Sequence, residues 1–426
     1  MKKAKEIKDR RMKHKVLFVV SSTAQAEMFA PMAEQLPDWD VMAVNVDRYH
    51  KRQEIEEVLR SLNFPFATIA GLTAGRVKDI FVKFQPDIVV VGHDRNPMDR
   101  LFIKFANFLN IPTLLVQDGI LAASRDKKQE TGSPSIALKY WFTLPYRALR
   151  FMTRRDCSFQ GKIETALFEF KHGTRGKVGV YGHGECSKIA VFGDAVERML
   201  VSEGVNPERI VVTGNPKFDK NLKYRNLNCK GRVCQRWQIS EDKDIILLLT
   251  QYFVESKIWS AEQRRKFVLA IANATAALPK TQLIIKLHPP IENEEDYQEI
   301  VKDLSPPPII CKYASLPELL NACSLAITVS STAALEAMAM GKPVVIVDLF
   351  STPGSSFYKG SGALFAEREE GILPAIQKAL YDPQTREEMA KSMEKFVYQQ
   401  AYLQDGQASK RIADLIRSMA ADRPHH

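Results

Sequence analysis

The sequence predicts an α/β protein built as two doubly wound halves, each a parallel sheet with helices on both faces. Three observations carry this. Short, uninterrupted apolar runs recur along the chain, as in strands buried on both faces. Helix-forming segments separate nearly all of them, which is the βαβ rhythm of a parallel sheet. That rhythm breaks at a basic stretch, 124–188, and at a polar stretch, 217–243, the second of which divides it into two blocks. At 426 residues the chain also exceeds one ordinary core.

In the first block Val16–Val20 predicts a strand, Ala24–Leu36 a helix, Val41–Val46 a strand and Arg52–Leu62 a helix. Val77–Phe84 predicts a helix, Asp87–Val91 a strand, Met98–Leu109 a helix and Thr113–Val116 a strand. After the basic insertion come a strand at Ile189–Phe192, a helix near Ala195–Glu203 and a strand at Ile210–Thr213. Lys217–Lys243 reads as an interdomain linker with one short helix. The second block alternates strands at Ile245–Thr250, Gln282–Leu287, Ile309–Ile310, Leu325–Val329 and Val344–Val347 with helices. Those helices cover Glu262–Leu278, Glu294–Leu304, Leu316–Ala322 and the small-residue run after Thr332. From Gly371 to Ala421 the chain is helical, broken near Asp382-Pro383 and Asp405-Gly406. The implied organisation is a basic arm over 1–15, a first domain over 16–216 with its insertion at 124–188, and a linker over 217–243. A second domain covers 244–395 and a helical tail covers 396–426.

Hydrophobic content of 45% and charged content of 26% are those of a soluble globular protein. No apolar run is long enough to cross a bilayer, and residues 1–15 lack the apolar stretch of a signal peptide. The six cysteines, at 157, 186, 229, 234, 311 and 323, show no paired or His-flanked spacing. Free thiols in the cytoplasm are therefore expected, and no metal site. The net charge of +10 is localised: 1–15 contribute +6, 124–188 contribute +7, and the remainder sums to −3. No nucleic-acid-binding module is recognisable. Within 134–155, Lys139, Trp141, Arg147, Arg150, Arg154 and Arg155 are interleaved with aromatic and aliphatic residues and almost no acids. This fits an anionic headgroup zone, so peripheral attachment to the inner face of the cell membrane is expected. A helix packed on the domain with solvated arginines gives the same pattern.

In doubly wound folds ligands collect outside the carboxyl ends of the strands, here expected in the crevice between the halves. Four motifs fall at such ends. Ser330-Ser331-Thr332 opens a small-residue helix, where unpaired N–H groups and the helix dipole suit a phosphate. Glu336, a turn further on, is placed to reach a ribose, while a simple Ser/Thr cap has the same sequence. His288, held by Pro289, can donate to a phosphate or leaving-group oxygen. Gln117-Asp118-Gly119 offers Asp118 as a general base, although Asp-Gly is also a common turn. Thr213-Gly214-Asn215-Pro216 reads as a hinge turn. Ser22, His93, Asp94, Gln117 and Gly119 also fall at strand ends of the first block, and Asp94 can be read as a cap or turn residue.

Together these motifs resemble the GT-B glycosyltransferase superfamily, from about Lys15 to Met419 and more clearly in the C-terminal half. The Thr213-Gly214-Asn215-Pro216 junction is similar to one found in UDP-GlcNAc 2-epimerases, lipid A disaccharide synthases and cell-surface glycan transferases. So is the unit comprising Ser330-Ser331-Thr332, Leu335-Glu336-Ala337 and Gly341-Lys342-Pro343-Val344. Gln117-Asp118-Gly119, His288-Pro289 and Ser330-Ser331 resemble three motifs of bacterial sialyltransferases and CDP-glycerol-type capsule and teichoic-acid enzymes, with Gln117 replacing the first acid.

The resemblance implies two Rossmann-like domains facing a cleft. It also implies inverting, metal-independent and cofactor-free transfer of a sugar from a UDP- or CMP-linked donor to a surface glycan or lipid-linked acceptor. Ser330, Ser331, Thr332, His288 and Pro289 would hold the phosphates and Glu336 the ribose, with Gly214 and Asn215 also on the nucleotide side. Asp118 would deprotonate the acceptor, whose side Ser22, His93, Asp94, Gln117 and Gly119 would line. The alternative is a UDP-GlcNAc 2-epimerase-like enzyme. Gly92-His93-Asp94 is similar to that family's His-Gly-Asp loop, but Gln117 stands at its catalytic glutamate and its Pro-Glu-Glu segment has no counterpart. A non-catalytic nucleotide- or glycan-binding protein is a third reading.

Overall fold

The computed structural model describes residues 13–46, 52–68, 73–94, 97–119, 181–225, 227–289 and 291–422, with 159, 160, 163 and 167. The described residues fall into two units. The first takes those up to Gly119, those from Phe159 to Pro216 and the stretch from Gln407 onward; the second runs from Lys217 to Gly406.

The first unit is a seven-stranded parallel sheet in the order β3-β2-β1-β4-β5-β6-β7. Its strands are β1 (Lys15–Val20), β2 (Asp40–Asn45), β3 (Phe66–Thr68), β4 (Ile88–Val91), β5 (Thr113–Val116), β6 (Lys188–Val191) and β7 (Ile210–Val212). The helices are α1 (Thr23–Glu34), α2 (Arg52–Ser61), α3 (Ala74–Phe84), α4 (Pro97–Phe108), α5 (Asp194–Ser202) and, from the chain's end, α14 (Ala408–Ala421). Leu17 pairs with Val89 at the sheet's centre, and every residue of β4 and of Val16–Val20 is fully buried. Continuous apolar strands are what covering both faces demands. One face packs Val16, Phe18 and Val20 against Phe29, Phe64 and, from α14, Ile412 and Ile416. Burying each such side chain contributes about 1.5–3 kcal/mol, so removing α14 strips this face.

The second unit is a six-stranded parallel sheet in the order β10-β9-β8-β11-β12-β13. Its strands are β8 (Asp244–Leu249), β9 (Thr281–Lys286), β10 (Ile309–Cys311), β11 (Leu325–Thr328), β12 (Val344–Val347) and β13 (Leu364–Ala366). Around them lie α6 (Pro216–Arg225), α7 (Lys230–Trp237), α8 (Ala261–Ala276), α9 (Glu294–Val301), α10 (Leu316–Ala322), α11 (Ala333–Ala339), α12 (Ile372–Tyr381) and α13 (Pro383–Ala401). Gly341 takes the left-handed conformation (φ 74°) that lets α11 turn into β12.

The expected linker over 217–243 instead forms two helices of the second unit. Phe218, Cys229, Val233 and Cys234 give it a buried face on that unit's core. The expected tail over 396–426 is also divided: α13 belongs to the second unit and α14 to the first. All but three residues of the basic arm lie outside the described residues, as does most of the insertion, with Lys139, Trp141, Arg147, Arg150, Arg154 and Arg155. No described helix is long and apolar enough to cross a membrane.

Candidate functional site

Because all strands in each sheet are parallel, their carboxyl ends share one edge. In the first unit this edge carries the turns after β1, β4, β5 and β6. The Ser22 hydroxyl caps α1, accepting from the Gln25 N–H at 3.2 Å. Gln25, at the first turn of α1, is 1% exposed and fully engaged. Its Oε1 accepts from the Ser21 N–H at 2.7 Å and hydroxyl at 3.0 Å, and its Nε2 donates to Asp118 Oδ2 at 2.9 Å. Gly92, after β4, makes room for this amide, since a Cβ there would lie 2.4 Å from Gln25 Nε2. The three strand-end turns thereby aim one half-buried carboxylate, Asp118.

Gln117 plays a different part from the one expected. It is 1% exposed; its Nε2 donates to the Gly119 carbonyl at 2.7 Å and its Oε1 accepts from the Phe192 N–H at 2.8 Å. The side chain ties the end of β5 to the end of β6, and its placement on the acceptor side is corrected accordingly. Asp94 is equally buried. Its Oδ2 accepts from the Gly184 N–H at 2.8 Å, while its buried Oδ1 has no hydrogen-bond partner among the described residues. Burial pushes its carboxyl above the usual range, opposed by that N–H, by His93 and by Arg100. A Cβ on Gly184 would come within 2.5 Å of Asp94 Cβ, so only glycine allows this contact. His93 sits edge-on to Tyr181, ring centroids 6.0 Å apart.

In the second unit the turns after β9, β8, β11 and β12 lie side by side. Gln251, after β8, makes a two-point contact with Ser330, after β11: its Oε1 accepts from the Ser330 N–H at 2.9 Å and its Nε2 donates to Ser330 Oγ at 3.2 Å. Ser330 Oγ also makes a long contact back to Gln251, donating to its Oε1 at 3.5 Å. Gly354 (φ 93°), after β12, closes on the same serine, a Cβ there lying 3.5 Å from Ser330 Cβ. Tyr358, fully buried, donates its hydroxyl to the Ser331 carbonyl at 2.6 Å.

The expected unpaired N–H groups at the start of α11 are locally engaged. The Ala333 N–H donates to Ser331 Oγ at 3.2 Å, Ala334 to the Ser331 carbonyl and Leu335 to the Thr332 carbonyl, both at 3.0 Å. Ser330 is half-buried, and Thr332 is exposed and makes no capping hydrogen bond. Glu336 accepts from Asn221 Nδ2 of α6 at 3.0 Å.

His288, after β9, stands edge-on to Tyr252, centroids 4.8 Å apart, and precedes the exposed Pro289. Its N–H donates to Glu292 Oε2 at 2.7 Å. Gly214 (φ 85°) and Asn215 form the turn after β7, where Arg411 Nε of α14 donates to the Thr213 carbonyl at 2.7 Å. These two belong to the first unit, and the Ser330 group to the second. Among the described residues no group of three or more His, Cys, Asp or Glu is arranged to hold a metal, and the five described cysteines are free and buried.

Two Rossmann-like α/β units, one with carboxylates and the other with hydroxyls and a histidine at its strand ends, define a GT-B-like protein of nucleotide-sugar chemistry. The chain belongs to the UDP-N-acetylglucosamine 2-epimerase family, whose model matches residues 187–417. No curated protein sequence matches it. Its fold is similar to a candidate UDP-N-acetylglucosamine 2-epimerase from Listeria monocytogenes, at 17% identity and TM-score 0.62 over 97% of this chain and 99% of that one. It is also similar to UDP-GlcNAc 2-epimerase from Neisseria meningitidis bound to UDP-GlcNAc, at 15% identity and TM-score 0.61, over 95% of this chain and 100% of that one. A third similar structure is Staphylococcus aureus MnaA with UDP, at 16% identity and TM-score 0.60, over 96% and 99%.

These matches overturn the expected inverting glycosyltransferase in favour of the epimerase-like alternative. The amide at Gln117 had counted against that alternative. Gln117 proves to be an internal strand tie, and the next residue, Asp118, supplies a positioned carboxylate.

Proposed function

We propose that this protein binds UDP-N-acetylglucosamine and inverts the configuration at C2 of the sugar. The observation that carries this is the family match over 187–417, which spans Gln251, His288, Ser330 and Glu336. UDP and UDP-GlcNAc in two of the similar structures favour a UDP-linked over a CMP-linked substrate. In this reading Ser330, Ser331, Thr332 and His288 hold the diphosphate, with Pro289 keeping His288 in place. Glu336, steadied by Asn221 from α6, accepts from the ribose hydroxyls. The Gly214-Asn215 turn leads the chain into α6.

The C2 hydrogen has no adjacent carbonyl to acidify it, so its removal is coupled to departure of UDP from C1, leaving a C1=C2 glycal. Returning a proton to the opposite face of C2 while UDP re-adds at C1 completes the inversion. Asp118, held by Gln25, is the base that takes the C2 proton. Asp94, whose buried carboxyl favours the protonated form, is the acid on the same strand-end edge, with Ser22, His93 and Gly119 beside the sugar. No metal or cofactor enters this reading. The test is incubation with UDP-, CMP-, CDP- and GDP-linked sugars. Conversion of UDP-N-acetylglucosamine to its C2 epimer, abolished in Asp118→Asn, supports the reading. Failure to bind or convert the UDP-sugar contradicts it.

We also propose that the protein works in the cytoplasm, in keeping with its free thiols, and that residues 134–155 hold it on an anionic membrane surface. Neutralising Arg147, Arg150, Arg154 and Arg155 is expected to abolish sedimentation with anionic vesicles; unchanged sedimentation contradicts that attachment.

A further inference from the structure

Glu292 has no place in the reaction described above, yet it is the most completely enclosed carboxylate near the nucleotide-side turns, with no exposed surface. Three donors converge on it. Its Oε2 accepts from the Thr250 hydroxyl and from the His288 N–H, and its Oε1 accepts from the Tyr297 hydroxyl. Thr250 directly follows β8 and precedes Gln251, His288 lies two residues past the end of β9, and Tyr297 lies in α9. Behind Tyr297 the Arg264 guanidinium stacks on its ring, 5.2 Å from the centroid, and is itself paired to Glu255 and Asp296. A carboxylate removed from water is tolerated only where its lone pairs are satisfied, and here a hydroxyl pair and a backbone N–H supply that.

From this we infer that Glu292 is a positioning residue that locks the β8 and β9 turns into one rigid support, fixing His288 directly and Ser330 through Thr250 and Gln251. Its consequence for nucleotide binding rests on the UDP reading above. The acceptor geometry matters here more than the charge. In Glu292→Gln the amide oxygen can keep the Thr250 and His288 donors, and the amide N–H₂ can donate to the Tyr297 oxygen, which has lone pairs to accept. In Glu292→Ala all three donors lose their partner.

The experiment combines hydrogen exchange of the unliganded protein with UDP titration. Exchange at the amides of 250–252, 287, 288, 291 and 292 is expected to accelerate in Glu292→Ala and to stay near wild type in Glu292→Gln. UDP affinity is expected to fall about tenfold or more in Glu292→Ala and by less than about threefold in Glu292→Gln. Thr250→Val, which removes one donor and spares the fold, should accelerate exchange at the same two turns. Unchanged exchange at both turns in Glu292→Ala and Thr250→Val overturns the inference. So does Glu292→Gln behaving like Glu292→Ala. If the wild type fails to bind UDP while these exchange differences appear, the nucleotide reading fails and the positioning role stands.

Discussion

The side-chain amide of Gln25 donates to the Asp118 carboxylate at 2.9 Å, joining residues 93 positions apart across the ends of β1 and β5. Its own oxygen is held by Ser21, so the amide has one orientation and Asp118 one anchored oxygen. Gly92→Ala tests this contact without touching either partner. The new methyl would overlap the Gln25 amide and push it off Asp118. The expected result is a loss of roughly tenfold or more in kcat with unchanged UDP affinity, read from steady-state kinetics beside a UDP titration.

Gln117→Glu tests the assignment of Gln117 as a tie. A carboxylate there would lose the bond to the Gly119 carbonyl and place a negative charge against that oxygen, at a site 1% exposed. Chemical denaturation should show a loss of about 2–3 kcal/mol, with no gain in epimerisation. A stable, more active variant contradicts the assignment.

Asp94 sets a stability cost that depends on pH. Its folded carboxyl lies above the ordinary value of 3.8 because burial disfavours the charge. A raised pKa means that the folded state binds the proton more tightly than the unfolded chain. The stabilisation is full below the ordinary value and is lost as pH rises through the folded one. Asp94→Asn, which keeps an oxygen for the Gly184 N–H, is therefore expected to raise Tm at neutral pH. The gain should shrink progressively as pH falls through the raised folded value toward 3.8, and activity should be lost. Calorimetry across that range checks the sign; a gain that grows on acidification contradicts it.

Thr332 and Ser330 separate ligand binding from folding. Thr332 is exposed with no capping bond, so Thr332→Ala should leave Tm unchanged and weaken UDP severalfold, about 1 kcal/mol. Ser330→Ala also removes the Oγ half of the contact with Gln251 and should cost more affinity, about tenfold, measured by isothermal titration.

What the sequence revealed of the fold was set by burial. β1, β4, β8 and β12 are covered on both faces and therefore read as unbroken apolar runs. The three-residue edge strands β3 and β13 carry too short a pattern to register, and α6 and α7 hide few apolar residues among many lysines and arginines. Asp118, His288 and Ser330 were legible because each follows a strand directly. Gln25, Gln251 and Glu292 were not, since each is defined by partners brought near by the fold: 93 positions away for Gln25, 79 for Gln251 and 42 for Glu292. Gln117 shows the converse, a residue prominent in a motif whose side chain turns inward.

The central claim is that this chain breaks and remakes the C2–H bond of UDP-N-acetylglucosamine. The most direct measurement is proton NMR of that substrate incubated with the protein in D₂O. Loss of the C2 proton signal, deuterium at C2 in both epimers and no exchange with Asp118→Asn are predicted. A substrate that binds yet keeps its C2 proton, with no epimer formed, would contradict the account.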